Sequence, residues 1–297
     1  MTTPAPDAGR DTVGRRAGQP LDPAQGDEDT TTPAHDAGRD EGVVPRLAGS
    51  APILEARGVT KTYAGAPALK DVSVSIEAGQ VTCVLGDNGA GKSTLIKILS
   101  GAHRPTSGEL FLDGRPVTFD GPRTALEAGI ATVYQDLATI PLVSVWRNFF
   151  LGREVTVGRG PLTRLNKSLM KRVVKDKMAD IGIDLREVDQ PIGTLSGGER
   201  QCVVIARALH FGARALILDE PTAALGVKQS EVVLRYITRA RDQGIGLIFI
   251  THNPNHAYPV GDRFLVLAHG ETIADKRKSE LTLPELTALM AGGAPQL

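Results

Sequence analysis

Val81-Thr82-Cys83-Val84-Leu85 is a buried-strand type of run, and it feeds straight into Gly86-Asp87-Asn88-Gly89-Ala90-Gly91-Lys92-Ser93. Three glycines so close together disfavour both helix and strand, so this stretch must be a tightly curled loop. Its spacing fits GxxxxGK[ST], the Walker A pattern, whose backbone N–H groups converge on phosphate oxygens. The following residues supply the second half of the context. Leu95, Ile96, Ile98 and Leu99 give one apolar helical face that stops at Ser100-Gly101. A helix N-terminus placed there favours negative charge. Gly86, Asp87, Asn88, Gly89, Ala90, Gly91, Lys92, Ser93 and Thr94 are therefore read as the binding loop for ATP. Lys92 supplies charge to the β- and γ-phosphates, and Ser93 offers a hydroxyl to Mg2+.

Two further apolar runs, Ala215-Leu216-Ile217-Leu218 and Leu247-Ile248-Phe249-Ile250, have strand length without alternation. Such runs belong in parallel sheets covered on both faces. Strands alternating with helices give an α/β fold of the P-loop NTPase type. Ahead of the loop, Pro52 to Val59 and Val72 to Ile76 read as short strands around a turn at Ala64-Gly65-Ala66-Pro67. Between the two halves lies an insertion, about 136–195. In it Leu165, Leu169, Met170, Val173, Val174, Met178 and Ile181 recur at helical spacing, which predicts a mostly helical subdomain. Lys167, Lys171, Arg172, Lys175 and Lys177 occupy the other positions and are read as a solvated face rather than a nucleic-acid surface.

Residues 1–50 differ from the rest. They are rich in Pro, Gly, Ala, Thr, Asp and Arg, and Thr2–Asp11 recurs with one change as Thr31–Asp40. A stretch this poor in apolar residues cannot offset its ordering entropy, so a disordered tail is expected. The main domain then runs over 51–292, with a short tail at 293–297. Lys plus Arg equals Asp plus Glu, 34 each, which provides no global field for nucleic acid. Cys83 and Cys202 lie far apart without metal-site spacing and read as small core residues of a reducing compartment. No run approaches the ~18 apolar residues of a membrane helix, and no signal peptide is recognisable. A soluble, intracellular protein is expected, reaching any membrane through a partner.

Ala215-Leu216-Ile217-Leu218-Asp219-Glu220 is a strand that ends in two carboxylates, the Walker B pattern. Asp219 suits a Mg2+ ligand, and Glu220 suits a general base for an attacking water. Leu195-Ser196-Gly197-Gly198-Glu199-Arg200-Gln201 opens a helix with a capping box, Ser196 to Glu199. A cap does not require two glycines in the first turn, where they weaken a helix. Ser196, Gly197 and Gly198 make sense where a phosphate must approach bare backbone.

This last motif closely resembles the LSGGQ signature of the ATP-binding cassette family, and the resemblance covers about residues 52–290. It implies a RecA-like core, an N-terminal antiparallel β subdomain and a helical subdomain. It further implies that Tyr63 stacks on adenine, that Gln135 contacts Mg2+ and couples the site to a transmembrane partner, and that His252 contacts the γ-phosphate. The family's run after the Walker B acids usually ends in Ala-Leu-Asp and helps link two protomers. Here Leu225 is followed by Gly226. That change does not touch the Mg2+ and water machinery, so hydrolysis is expected. In the family one protomer's signature completes the other's ATP site, which implies a homodimer on the cytoplasmic face of a membrane, joined to permease subunits and indirectly to a substrate-binding protein. The wording of Phe149-Phe150-Leu151-Gly152-Arg153-Glu154 and of the other motifs is similar to carbohydrate-import ATPases, the single-cassette fructose type above all. Monosaccharide uptake is the expected role. The alternatives are a soluble cassette ATPase and a nucleotide-gated regulatory module.

Overall fold

The computed structural model describes residues 51–292, apart from positions 181 and 186 and the side chain of 161. The tails expected at 1–50 and 293–297, and the helical position given to Ile181, lie outside the described residues.

Strands β1 (Leu54–Tyr63) and β2 (Ala66–Ile76) form an antiparallel hairpin. Its turn is Ala64-Gly65, with positive φ at both residues, the backbone that matches the strands' own twist. Both strands run longer than the sequence suggests. β3 (Val81–Leu85) leads into α1 (Lys92–Leu99), and β4 (Ser107–Leu112) and β5 (Arg115–Val117) complete the first sheet in the order β2-β1-β4-β5. The short helix α2 (Pro122–Glu127) then precedes β6 (Ile130–Val133).

The second sheet is six-stranded and takes strands from the whole remaining chain. After an insertion that holds α3 (Val145–Phe150), β7 (Thr156–Val157), β8 (Arg164–Leu165) and α4 (Lys167–Ala179) come α5 (Gly197–His210), β9 (Ala215–Asp219), α6 (Val227–Asp242), β10 (Gly246–Thr251), α7 (Pro254–Val260), β11 (Arg263–Ala268), β12 (Glu271–Arg277) and α8 (Leu283–Met290). The order is β12-β11-β3-β10-β9-β6, parallel except for β12. Residues alternate between two cores because successive side chains leave a strand on opposite faces. Val81, Cys83 and Leu85 of β3, Leu216 and Leu218 of β9, and Leu247 and Phe249 of β10 enter one apolar cluster. Val84, Ile217, Ile248 and Ile250 enter the other, against Leu95, Ile96, Ile98 and Leu99 of α1. Both cysteines are buried in the first cluster and free.

Within 136–195 helices make up most of the regular structure, with one small hairpin among them. Turns join α3, the hairpin of β7 and β8, and α4. Met170, Val174 and Met178 are buried as the spacing predicts. Leu165 is not part of that helix: it sits in β8 and is exposed. The reason is local. The Asn166 side chain accepts from the Leu169 N–H and caps α4, so the helix starts after Leu165. Lys167, Arg172, Lys175 and Lys177 are exposed, and Lys171 pairs with Asp189 at 2.6 Å. Among the described residues no helix is long and apolar enough to cross a membrane.

Candidate functional site

Parallel pairing sets the candidate residues side by side. Thr251 of β10 lies opposite Leu85 of β3, and Ile250 lies opposite Asp219 of β9. Leu218 in turn faces Val133 of β6. The residues that follow these positions, Gly86, Glu220, His252 and Gln135, therefore emerge at one edge of the sheet. This is the edge where open α/β sheets place their ligands.

The loop from Gly86 to Gly91 is shaped by what surrounds it. Gly86 has φ 150 and Gly91 has φ 105. A Cβ on Gly86 would lie 2.3 Å from the Leu267 carbonyl oxygen, and one on Gly91 would lie 2.9 Å from the Ala68 carbonyl oxygen. Neither approach is possible for a residue with a side chain, so both the backbone angle and the space demand glycine. Lys92 is buried, and its Nζ donates to the carbonyls of Gly86 at 2.7 Å and Asp87 at 3.0 Å. It holds the loop closed while α1 begins at the same residue.

Asp87, Asn88, Gly89, Ala90, Gly91, Lys92, Ser93 and Thr94 line one cavity of about 670 Å³ together with Gln135, Asp219, Glu220 and His252. Pro67, Ala68, Ala223, His269 and Gly270 complete the wall. Burial, and then the charge of Glu220, push the Asp219 carboxyl above its usual range, while Lys92 pulls the other way. Glu220 holds a left-handed backbone, φ 47, a conformation that costs a non-glycine residue on the order of 1 kcal/mol or more. One carboxylate oxygen, Oε1, accepts from His252 Nδ1–H at 2.9 Å. The other, Oε2, is buried and has no hydrogen-bond partner among the described residues. Buried carboxylate oxygens are normally paired, so this atom is an acceptor kept in reserve.

Besides Gly86, two groups singled out in the sequence do not line that cavity. Tyr63 ends β1, is 39% exposed, and its hydroxyl lies 2.6 Å from His103 Nδ1. Ser196, Gly197 and Gly198 open α5 outside that cavity, the first two half-buried and Gly198 buried, with the capping box formed: Ser196 N–H donates to Glu199 Oε2 at 2.7 Å, and Glu199 N–H to Ser196 Oγ at 3.3 Å. Gly197 lines a neighbouring cavity with Gln135, Glu220 and Leu225. Packing gives these glycines a second reason to be small. A Cβ on Gly197 would meet Leu225 Cδ2 at 2.6 Å, and one on Gly198 would meet the Gln229 carbonyl oxygen at 3.0 Å. Gly226 is the N-cap of α6 and provides no side-chain cap.

Sequence reasoning missed the far wall, His269 and Gly270 at the β11–β12 turn and Pro67-Ala68 of β2. They come from chain segments far from the loop, and only the sheet order brings them there. The run Phe264-Leu265-Val266-Leu267 was the available signal for β11.

A family model described as ABC transporter matches residues 69–223. The xylose/arabinose import ATP-binding protein of Sulfolobus acidocaldarius is 43% identical over 242 residues, covering 82% of this chain and 95% of that protein. The fructose import ATP-binding protein of Rhizobium meliloti is 40% identical over 246 residues, covering 81% and 94%. Among solved structures, a dimeric ATP-binding cassette in a post-hydrolysis state with ADP and Pi superposes with a TM-score of 0.63 at 26% identity, covering 76% of this chain and 98% of that one.

Proposed function

Because the chain belongs to the ABC transporter family of ATP-binding proteins, we propose that it binds and hydrolyses ATP to drive import of a monosaccharide through a separate membrane permease. The observation that carries the chemistry is the single cavity joining the phosphate loop to Asp219, Glu220, Gln135 and His252. The sugar assignment rests on the relatives named for xylose/arabinose and fructose import. Tyr63 is proposed to stack on the adenine base at the end of β1.

In the proposed reaction the triphosphate lies along the N–H groups of Gly89 to Thr94, with Lys92 beside the β- and γ-phosphates. Ser93, Gln135 and Asp219 are oxygen donors on the same cavity wall, the hard-ligand set that suits Mg2+ alongside substrate phosphates. When bound, Mg2+ neutralises phosphate charge. Glu220 Oε2, free of other partners, accepts a hydrogen bond from the attacking water and takes its proton as the water oxygen bonds to the γ-phosphorus. The bond from that phosphorus to the β–γ bridging oxygen breaks, leaving ADP and inorganic phosphate. His252, bonded to Oε1, holds the carboxylate in place and faces the γ-phosphate.

The signature glycines lie outside this cavity, which supports pairing with a second copy. An apolar cleft next to Gln135, between Val133-Tyr134 and Val204-Ala208-Phe211, suits a helical segment of the permease. Arg153 and Arg207 line it and, with only Glu154 among the described residues to offset them, give it a positive rim suited to an acidic partner residue.

The test is ATP turnover by the full chain with and without co-captured membrane proteins. Co-purification of a polytopic permease that stimulates turnover, lost in Arg207→Glu, is expected. Vigorous turnover with no membrane partner captured would mean a soluble cassette ATPase instead.

A further inference from the structure

His269 and Gly270 form the two-residue loop between β11 and β12, flanked by the paired residues Ala268 and Glu271. Both have positive φ, 51 and 82. Such loops favour Asn-Gly or Asp-Gly, whose first residue tolerates the left-handed backbone. Histidine tolerates that backbone better than most side chains, and Glu271 of the same hairpin interacts with it electrostatically. Among the described residues the His269 ring makes no hydrogen bond, ion pair or ring contact, yet it lines the cavity beside the phosphate loop.

The loop cannot drift away from that position. Gly270 N–H donates to the Ala90 carbonyl at 3.1 Å, and Lys70 N–H donates to the Gly270 carbonyl at 2.8 Å. A Cβ on Gly270 would lie 2.8 Å from the Ala68 carbonyl oxygen, so the turn is pressed against β2. Lys70 Nζ and Glu271 Oε1, 2.7 Å apart, pin the far flank. The other basic side chains on the cavity wall are already engaged, Lys92 with two carbonyls and His252 with Glu220. The His269 backbone is held in place, and its exposed ring, free of hydrogen bonds among the described residues, stands on the wall of the cavity that Ala90 also lines.

Resting on the ATP reading above, we propose that His269 is a further nucleotide-binding residue that donates a ring N–H to a phosphate oxygen of the bound nucleotide. A residue in a left-handed turn whose ring faces a ligand cavity without a hydrogen bond is a reason to look for function. A donor held ready beside a polyphosphate is such a function.

The experiment is calorimetric titration of the full chain with ADP and, separately, with inorganic tripolyphosphate. His269→Gly and His269→Asn both suit the left-handed turn, so the hairpin is kept and an unchanged or raised Tm checks it. Expected is a loss of about tenfold in affinity for both ligands with glycine, about 1.4 kcal/mol, and a smaller loss with asparagine, which retains an N–H donor. Equal ADP affinity in wild type and His269→Gly overturns the inference while leaving the ATP reading intact. A loss for ADP alone also overturns it, because the ring then serves the nucleoside end. A wild-type chain that binds neither ligand overturns the ATP reading itself.

Discussion

Replacing Glu220 with glutamine changes one oxygen and tests the whole reading of the cavity. Oε1 is engaged by His252 at 2.9 Å, and Oε2 is the buried atom without a partner. If the amide oxygen keeps the bond to His252 Nδ1–H, the amide nitrogen must occupy the Oε2 position. A donor then stands where the attacking water needs an acceptor, and no proton can be taken. Removing a positioned general base costs about 100- to 10,000-fold in rate, or about 2.7 to 5.5 kcal/mol of barrier. The backbone at this position already has φ 47, and glutamine inherits it without new strain. The fold should therefore survive, with the loss confined to chemistry. Phosphate release measured at saturating ATP gives the rate, and size-exclusion chromatography with ATP present gives the assembly. We expect near-zero turnover together with an ATP-dependent dimer that persists. Turnover within fivefold of wild type would show that Oε2 is not the acceptor and that the base lies elsewhere.

Two other perturbations test neighbouring parts of the same edge. Asp219 carries a pKa raised by burial and by Glu220, so its stabilising contribution to the nucleotide-free protein is present at low pH and is lost as pH rises through the raised value. Asp219→Asn should accordingly gain Tm over wild type as pH rises from about 4, while nucleotide binding loses its response to Mg2+. Solvent reaches this carboxylate, so the gain is about 1 kcal/mol at most, and a Tm difference independent of pH would contradict it. Gly226→Asp adds a capping side chain to α6 where a Cβ meets nothing within 4 Å. It should stabilise the fold by a few tenths of a kcal/mol, read as a small rise in Tm, and ATP-dependent dimerisation of the same variant reports whether an aspartate at this position strengthens the pairing.

Legibility followed the range of the interaction that decides each element. The phosphate loop was readable because its determinants are local: strand, glycines, lysine and helix follow one another within the run from Val81 to Leu99. The Ser196–Glu199 capping box was readable for the same reason, and both of its hydrogen bonds form. Leu165 misled because apolar spacing continued past a helix start that one Asn166 side chain sets. β6 was passed over, since Ile130-Ala131-Thr132-Val133 is too short for periodicity to distinguish strand from helix. His269 could not be found by any local rule. Its relation to Ala90 depends on β11 pairing with β3, and its unusual backbone is invisible in the residue type.

The division of the site follows from the same geometry. Glycine at 197 and 198 serves two demands, close packing of α5 against Leu225 and Gln229 and an uncluttered helix N-terminus. Packing constrains Gly198, against the Gln229 backbone, more than Gly197, against the movable end of Leu225, and the glycines do not by themselves prove a phosphate contact. What argues for one is the position of Gly197 in the cavity that also contains Gln135 and Glu220. That cavity adjoins the phosphate loop's cavity through the two shared residues, yet no signature residue enters the latter. A nucleotide held by Gly89 to Thr94 thus leaves this chain's own signature unused. A second copy laid against the same face can bring the missing helix N-terminus to that nucleotide, and in a symmetric pair the exchange is reciprocal. In the proposed pair two nucleotides would sit at the interface, with ATP stabilising it and cleavage at Glu220 releasing it. Gly226, at the start of α6 and next to Leu225 on the wall of the neighbouring cavity, is the position at which the Gly226→Asp variant tests that proposed release without altering the chemistry.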